Sequence, residues 1–182
     1  TLDGEEVSSL LGGAPIIRSE GRAYPVEVRY MADERPVSVR PESMTGPSFI
    51  SSAAGAVLSA LKDESGSILV FLPGSSEIRR VEARLREKTL PENVEVFCLY
   101  GELSRDAQDA AIRPSSTGRR KVVLATSIAE TSLTIDGVRV VVDGGLKRVP
   151  RFNPSTGMGS LETIRVTKNS AEQRKGRAGR TE

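Results

Sequence analysis

Four short apolar runs, each followed by a turn of small or hydroxyl residues, limit what this chain can become. They lie at 67–72 (Ser-Ile-Leu-Val-Phe-Leu), 94–99, 121–125 (Lys-Val-Val-Leu-Ala) and 138–143. The first of them, a continuous apolar run, suits a strand covered on both faces. Helical patterns alternate with them. In 48–63, Phe49, Ala53, Ala56, Val57, Ala60 and Leu61 share one helix face. After Pro73-Gly74-Ser75-Ser76, the residues Ile78, Val81 and Leu85 form an inward stripe. Ser104 is placed to cap a further helix that ends near Arg113-Pro114. Strands alternating with helices predict an α/β fold built on a parallel sheet. Ligands of such sheets bind beyond the carboxyl ends of the strands. The turns after Leu72, Leu99, Ala125 and Asp143 all lie there.

The flanks read differently. Residues 1–12 predict a short helix, with Asp3 as cap, Glu5 and Glu6 in its first turn and Gly12 past its end. Segments 15–19 and 26–30 read as short extended pieces. Residues 32–47 carry Pro36, Pro41 and Pro47 among scattered charges and read as a linker. From 146 to 167, Lys147, Arg148 and Arg151 precede the turn Asn153-Pro154-Ser155-Thr156-Gly157, and alternation follows. That predicts a projecting β-hairpin.

Composition excludes several functions. The 182 residues fit one domain, with room for a fragment of another. A net charge of +2 means that any nucleic-acid binding must come from a local patch. With no histidine, neither a Ser-His-Asp triad nor a His-based metal site is possible. There is no G-x-x-x-x-G-K-[ST] loop and no G-x-G-x-x-G fingerprint. The single cysteine, Cys98, sits in an apolar run and reads as an inert core thiol. No run approaches the roughly 18 apolar residues of a membrane helix, and no leader pattern opens the chain. A cytoplasmic location without membrane contact is expected.

Two stretches carry chemistry. In 170–180, Arg174, Arg177 and Arg180 recur every third residue, so a continuous helix would gather them on one face. Guanidinium groups so grouped repel unless an anion sits among them, and their planar forks suit phosphate. Gly176 and Gly179 each weaken a helix by about 1 kcal/mol relative to Ala, which makes sense if a backbone or ligand comes close. The plainer alternative is a solvated basic end, with Ser170 and Gln173 forming a capping box. The second stretch, 125–137, collects Thr126, Ser127, Glu130, Ser132, Thr134 and Asp136 just after a strand. Alone, it could be an ordinary capped loop.

The order Gln173-Arg174-Lys175-Gly176-Arg177-Ala178-Gly179-Arg180 resembles motif VI of the DEAH/RHA helicases, a branch of the second helicase superfamily. Residues 125–137 resemble their motif V, Phe71-Leu72-Pro73-Gly74 their motif IV, and Tyr100-Gly101-Glu102-Leu103-Ser104 their motif IVa. The hairpin stands where the family carries its strand-separating hairpin, and 151–158 most resembles a bacterial, HrpB-like branch. Thr1-Leu2-Asp3 resembles the tail of the family's Ser-Ala-Thr motif, and 21–26 its bridge between domains.

The resemblance implies a RecA-like parallel sheet flanked by helices, with a projecting β-hairpin. Residues 1–30 would be a remnant of a first RecA-like domain with the bridge, 31–47 a linker, and 48–182 the second RecA-like domain. Gln173 would orient the attacking water, and Arg177 and Arg180 would be arginine fingers. Ser132, Thr134 and Asp136 would meet the nucleotide. Gly74, Ser75, Gly101, Thr126 and Ser127 would meet the nucleic-acid backbone, with Ser127 standing where the family often has Asn. Lys147, Arg148 and Arg151 would serve the strand-separating hairpin. The cofactor would be ATP with Mg²⁺, the metal held mainly by the first domain. The partners would be single-stranded nucleic acid, RNA before DNA, and the first RecA-like domain. Ile112 stands where such helicases often carry an adenine-stacking aromatic, and it would stack poorly. Two other classes fit parts of the pattern: a non-catalytic nucleic-acid-binding module, and a dinucleotide-dependent α/β enzyme.

Overall fold

In a computed structural model of the chain, residues 4–17, 24–31, 45–130, 133–155 and 157–180 are described. Helix α1 (Gly4–Leu10) is followed at a distance by α2 (Pro47–Asp63), β1 (Ser67–Phe71), α3 (Ser75–Arg86), β2 (Val94–Leu99), α4 (Arg105–Ile112), β3 (Arg120–Ala125) and β4 (Val138–Asp143). A hairpin of β5 (Leu146–Asn153) and β6 (Met158–Arg165) comes next, then α5 (Lys168–Lys175). The four apolar runs form one parallel sheet in the order β2-β3-β1-β4. The expected α/β architecture is present. Of the segments 15–19 and 26–30, expected to be extended, the described residues 15–17 and 26–30 belong to neither sheet. The proposed cap Asp3 and most of the expected linker lie outside the described residues.

Strand periodicity divides the core into two layers. Ile68, Val70, Leu72, Val122 and Leu124 face α2 and α3, where Phe49, Val57, Ile78, Val81 and Leu85 complete one buried cluster. Leu69, Phe71, Leu99, Val123 and Ala125 face the other way, toward Ala111 of α4 and toward Ala129 and Ile135. Each large apolar side chain so buried contributes about 1.5–3 kcal/mol. Ile112, half-buried, packs against this second cluster.

The helices start and stop for local reasons. Pro47 opens α2, where its missing N–H costs nothing. Ser104 caps α4 by accepting from the Ala107 amide. The two first residues of β3 close two helices. Arg120 donates to the carbonyls of Leu61, Glu64 and Gly66 at the end of α2, at 2.8–2.9 Å. Lys121, pointing to the opposite face, donates to the carbonyls of Ala110 and Arg113 at the end of α4. Cations at helix C-termini also answer the helix dipole.

The hairpin leaves the sheet through Gly144-Gly145. The Gly144 amide donates to the Phe71 carbonyl at 3.0 Å, and a Cβ there would lie 2.9 Å from the Phe49 ring. Gly145 takes φ 69°, and its amide donates to Asp143 Oδ1 at 2.8 Å. Among the described residues no helix is long and apolar enough to cross a membrane.

Candidate functional site

The C-terminal edge of the sheet gathers Phe71, the 126–137 loop, Asp143 and the 170–180 run. Its centre is Arg174, 0% exposed. Arg174 Nε donates to Glu130 Oε1 at 2.7 Å, and Nη1 donates to Asp143 Oδ1 at 2.6 Å. Nη2 lies 2.6 Å from Glu130 Oε1, close enough for charge but too oblique for a hydrogen bond. The guanidinium carbon stands 4.7 Å from the centre of the Phe71 ring. Ser170 Oγ donates to the second oxygen of Glu130 at 2.8 Å. A fully buried cation is tolerable only with partners of this quality.

These contacts correct two expectations. The anion among the arginines is, for Arg174, a pair of carboxylates from this chain and not a phosphate. The three arginines also do not share a helix face. Helix α5 ends at Lys175, Arg177 sits in the next turn, and Ala178–Arg180 form a short 3₁₀ segment. The helix stops because Gly176 and Gly179 support it weakly and because other chain segments hold the residues beyond Lys175. Thr167, not Ser170, caps α5, accepting from the Ser170 amide at 3.2 Å.

Arg177 is 5% exposed. Its Nη1 donates to the Leu133 carbonyl at 2.7 Å, and Nη2 donates to the Glu130 carbonyl. Thus the arginine-rich run is fastened to the 126–137 loop by side chains from two successive positions in its pattern. Gly179 is crossed by the 24–26 segment. The Tyr24 amide donates to the Gly179 carbonyl at 3.1 Å, and a Cβ on Gly179 would lie 2.8 Å from the Tyr24 carbonyl oxygen. The close approach that this glycine permits is therefore to a backbone of the same chain. The Arg180 side chain and all of Ser132 lie outside the described residues.

The remaining positions separate into exposed and enclosed. Thr134, Asp136 and Ser127 are exposed, Gln173 and Thr126 are half-buried, and the Thr126 amide is spent on the Leu99 carbonyl at 3.1 Å. Gly101 is exposed, with open space where a side chain would stand. Gly74 is buried, and Arg148 of the hairpin fills the space above it. Half-buried Ser75 and exposed Ser76 carry the open side of that turn. On the hairpin, Lys147 is half-buried, Arg148 pairs with Glu77 at 3.0 Å, and Arg151 pairs with Glu162.

Sequence reasoning misses Glu130, Asp143 and Glu77 as counter-ions. Their partners are 44, 31 and 71 residues away, beyond any local pattern. The one available signal is Glu130 itself, a carboxylate inside the hydroxyl-rich loop.

Cys98, expected in the core, is half-buried against it. Burial, with Glu82 nearby, pushes its thiol up to about 12. Only the thiolate reacts. At pH 8.5 native Cys98 is therefore expected to be alkylated by iodoacetamide at least about a hundredfold more slowly than in the unfolded chain, as followed by mass spectrometry. Equal rates would show the thiol to be solvated.

A buried arginine clamp thus joins two strand-end loops, with the exposed hydroxyl residues Ser127 and Thr134 on the loop beside it. The chain belongs to the helicase conserved C-terminal domain family, whose model matches residues 52–182. Within that family it is similar to HrpB-type DEAH/RHA proteins. It is 47% identical, over all of its length, to 21% of the ATP-dependent RNA helicase HrpB of Escherichia coli. It is 36% identical over 99% of its length to 24% of an Arabidopsis thaliana protein, the pre-mRNA-splicing factor ATP-dependent RNA helicase DEAH10. The crystal structure of the E. coli DEAH/RHA helicase HrpB superposes with a TM-score of 0.82, covering 99% of this chain and 22% of that one. The parallel sheet and hairpin thus match the RecA-like C-terminal fold of these helicases. The chain spans about a fifth of the length of these relatives.

Proposed function

We propose that this chain is the second RecA-like domain of an ATP-dependent RNA helicase, working in the cytoplasm on single-stranded RNA. In this reading residues 1–30 are a remnant of the first RecA-like domain with the bridge, 31–47 a linker, and 48–182 the second domain. The observation that supports it best is the fastening of the Arg174–Arg180 run to the 126–137 loop at the carboxyl edge of the sheet. That edge is where α/β sheets bind ligands.

The donor set fits a triphosphate approached from outside the domain. Arg174 is taken by carboxylates, which leaves phosphate to its neighbours. Gln173 orients water, Arg177 and Arg180 stabilise charge on the transferred group, and Ser132, Thr134 and Asp136 meet the nucleotide. ATP with Mg²⁺, when bound, supplies the phosphoryl group to be transferred, its metal held mainly by the first domain. Arg177 must release the carbonyls of Glu130 and Leu133 to reach a phosphate, so nucleotide contact and loop position are linked. Ser75, Gly101, Thr126 and Ser127, with the backbone of the Gly74 turn, follow the sugar-phosphate chain. Such contacts read backbone shape and charge and carry little base information. Lys147, Arg148 and Arg151 belong to the hairpin that parts the strands.

The test compares two proteins. The full-length protein carrying this domain is expected to show RNA-stimulated ATP hydrolysis and ATP-dependent duplex unwinding. The chain of 182 residues by itself is expected to hydrolyse ATP no faster than background, since it holds no phosphate-cradling loop. Turnover by the isolated chain, or a full-length protein that binds RNA without hydrolysing ATP, would reject this reading. The second outcome would favour a non-catalytic binding module.

A further inference from the structure

Among the described residues, an ion pair links the hairpin to the domain body beyond the hairpin's base. Glu77 lies in the first turn of α3, and its side chain is 4% exposed. Arg148, on β5, is paired across the hairpin with buried Thr163 and keeps 30% of its side chain exposed. Arg148 Nη2 donates to Glu77 Oε1 at 3.0 Å, while Glu77 Oε2 is buried without a hydrogen-bond partner. Gly74 closes on the same ion pair. A Cβ at Gly74 would overlap Arg148 Nη1 and lie 2.8 Å from Cζ and 3.1 Å from Glu77 Oε2. Gly74 has an extended backbone that any residue adopts, so conformation does not require the glycine. The arginine lying over it does.

A surface ion pair would carry little weight. This one differs because the carboxylate is enclosed. Removing Arg148 would leave a buried, uncompensated anion. A planar guanidinium fork held against a carboxylate and a backbone face also has few orientations open to it. We propose that Arg148 and Glu77 form a latch that fixes the angle of the hairpin against the Gly74 turn, so that the two move as one body. Both are positioning residues. The proposal rests on the helicase reading for its purpose: the element that parts strands would stay in register with the turn that holds the strand. The latch itself is a matter of geometry and is testable without that reading.

The full-length protein, with Cys98→Ala, receives spin labels at Ser155→Cys in the hairpin turn and Glu92→Cys on the domain body. Pulsed electron-spin resonance then reads the distance distribution. With Glu77 intact, a single narrow distribution is expected. Glu77→Gln keeps the shape but removes the charge, and broadens it. Gly74→Ala crowds both members of the pair and broadens the distribution likewise. In unwinding assays with Glu77→Gln, base pairs opened per ATP hydrolysed fall on the order of tenfold, since small misplacements of working groups carry penalties of that size or larger. RNA-stimulated ATP turnover stays within about twofold, because Glu77 touches no reacting group. An unchanged distribution in both variants overturns the latch and leaves the helicase reading standing. A Glu77→Gln protein that loses melting temperature, turnover and unwinding together overturns it too, as plain destabilisation. Absence of RNA-stimulated turnover in the unsubstituted protein defeats the helicase reading, while the distance distributions still decide the latch.

Discussion

Replacing Arg174 with methionine is expected to lower the stability of this chain by about 3–5 kcal/mol, the usual result of removing one partner of a buried ion pair. Two carboxylates, Glu130 and Asp143, would be left without the cation that both contact. The Phe71 ring would lose the charge lying over it, worth about 2 kcal/mol when desolvated. These losses overlap, so they do not add. For a chain of this size each kcal/mol moves the melting temperature by about 2–4 °C. A thermal melt followed by circular dichroism should therefore shift by about 6–20 °C. Arg174→Lys keeps the charge but loses the fork that reaches both carboxylates, and a shift between those of the parent and Arg174→Met is expected. A melt unchanged by Arg174→Met would mean that the clamp does not hold the edge together.

Arg177→Ala or Arg180→Ala, in the full-length protein, is expected to lower ATP turnover by about 10³- to 10⁵-fold, the range found for arginine fingers. Nucleotide affinity should change far less, because an interaction made in the transition state lowers kcat without a matching change in binding. Single-turnover hydrolysis and a fluorescent-nucleotide titration separate the two. Arg177 is also 5% exposed and holds two loop carbonyls, so a melt must accompany its variant. Equal losses in affinity and turnover would assign both arginines to ground-state binding.

The centre of the sheet is legible in the sequence because β1 and β3 are nearly pure apolar runs, whereas the edge strands β2 and β4 carry charges and are mostly half-buried. Leu69, Val70 and Phe71 are buried regardless of which face they point to, and only a doubly covered strand requires that. The hairpin is legible from Asn153-Pro154 and from Gly157, which takes φ 66°. Helix α4 announces itself through Ser104. The arginine run stands out rightly as special and wrongly as one helix. Periodicity places three cations on a face, but it cannot reveal that Arg174 turns inward to Glu130 and Asp143, or that 24–26 crosses Gly179. Those are tertiary facts, and they override the local pattern. For the same reason Gly74 reads as open backbone in the sequence, whereas an arginine 74 residues further along covers it.

Arg120 and Lys121 close two helices from adjacent positions on one strand. Slippage of β3 by a single residue would reverse which side each cation faces. Both helix ends would lose their lids at once, although the apolar residues behind them would still find oil on either side. A run as uniform as Val122-Val123-Leu124 cannot specify its own alignment, so the charged pair ahead of it acts as the key that rejects misthreaded sheets. Lengthening the chain by one residue between Lys121 and Val122 should therefore harm folding more than the same insertion in the 115–118 loop.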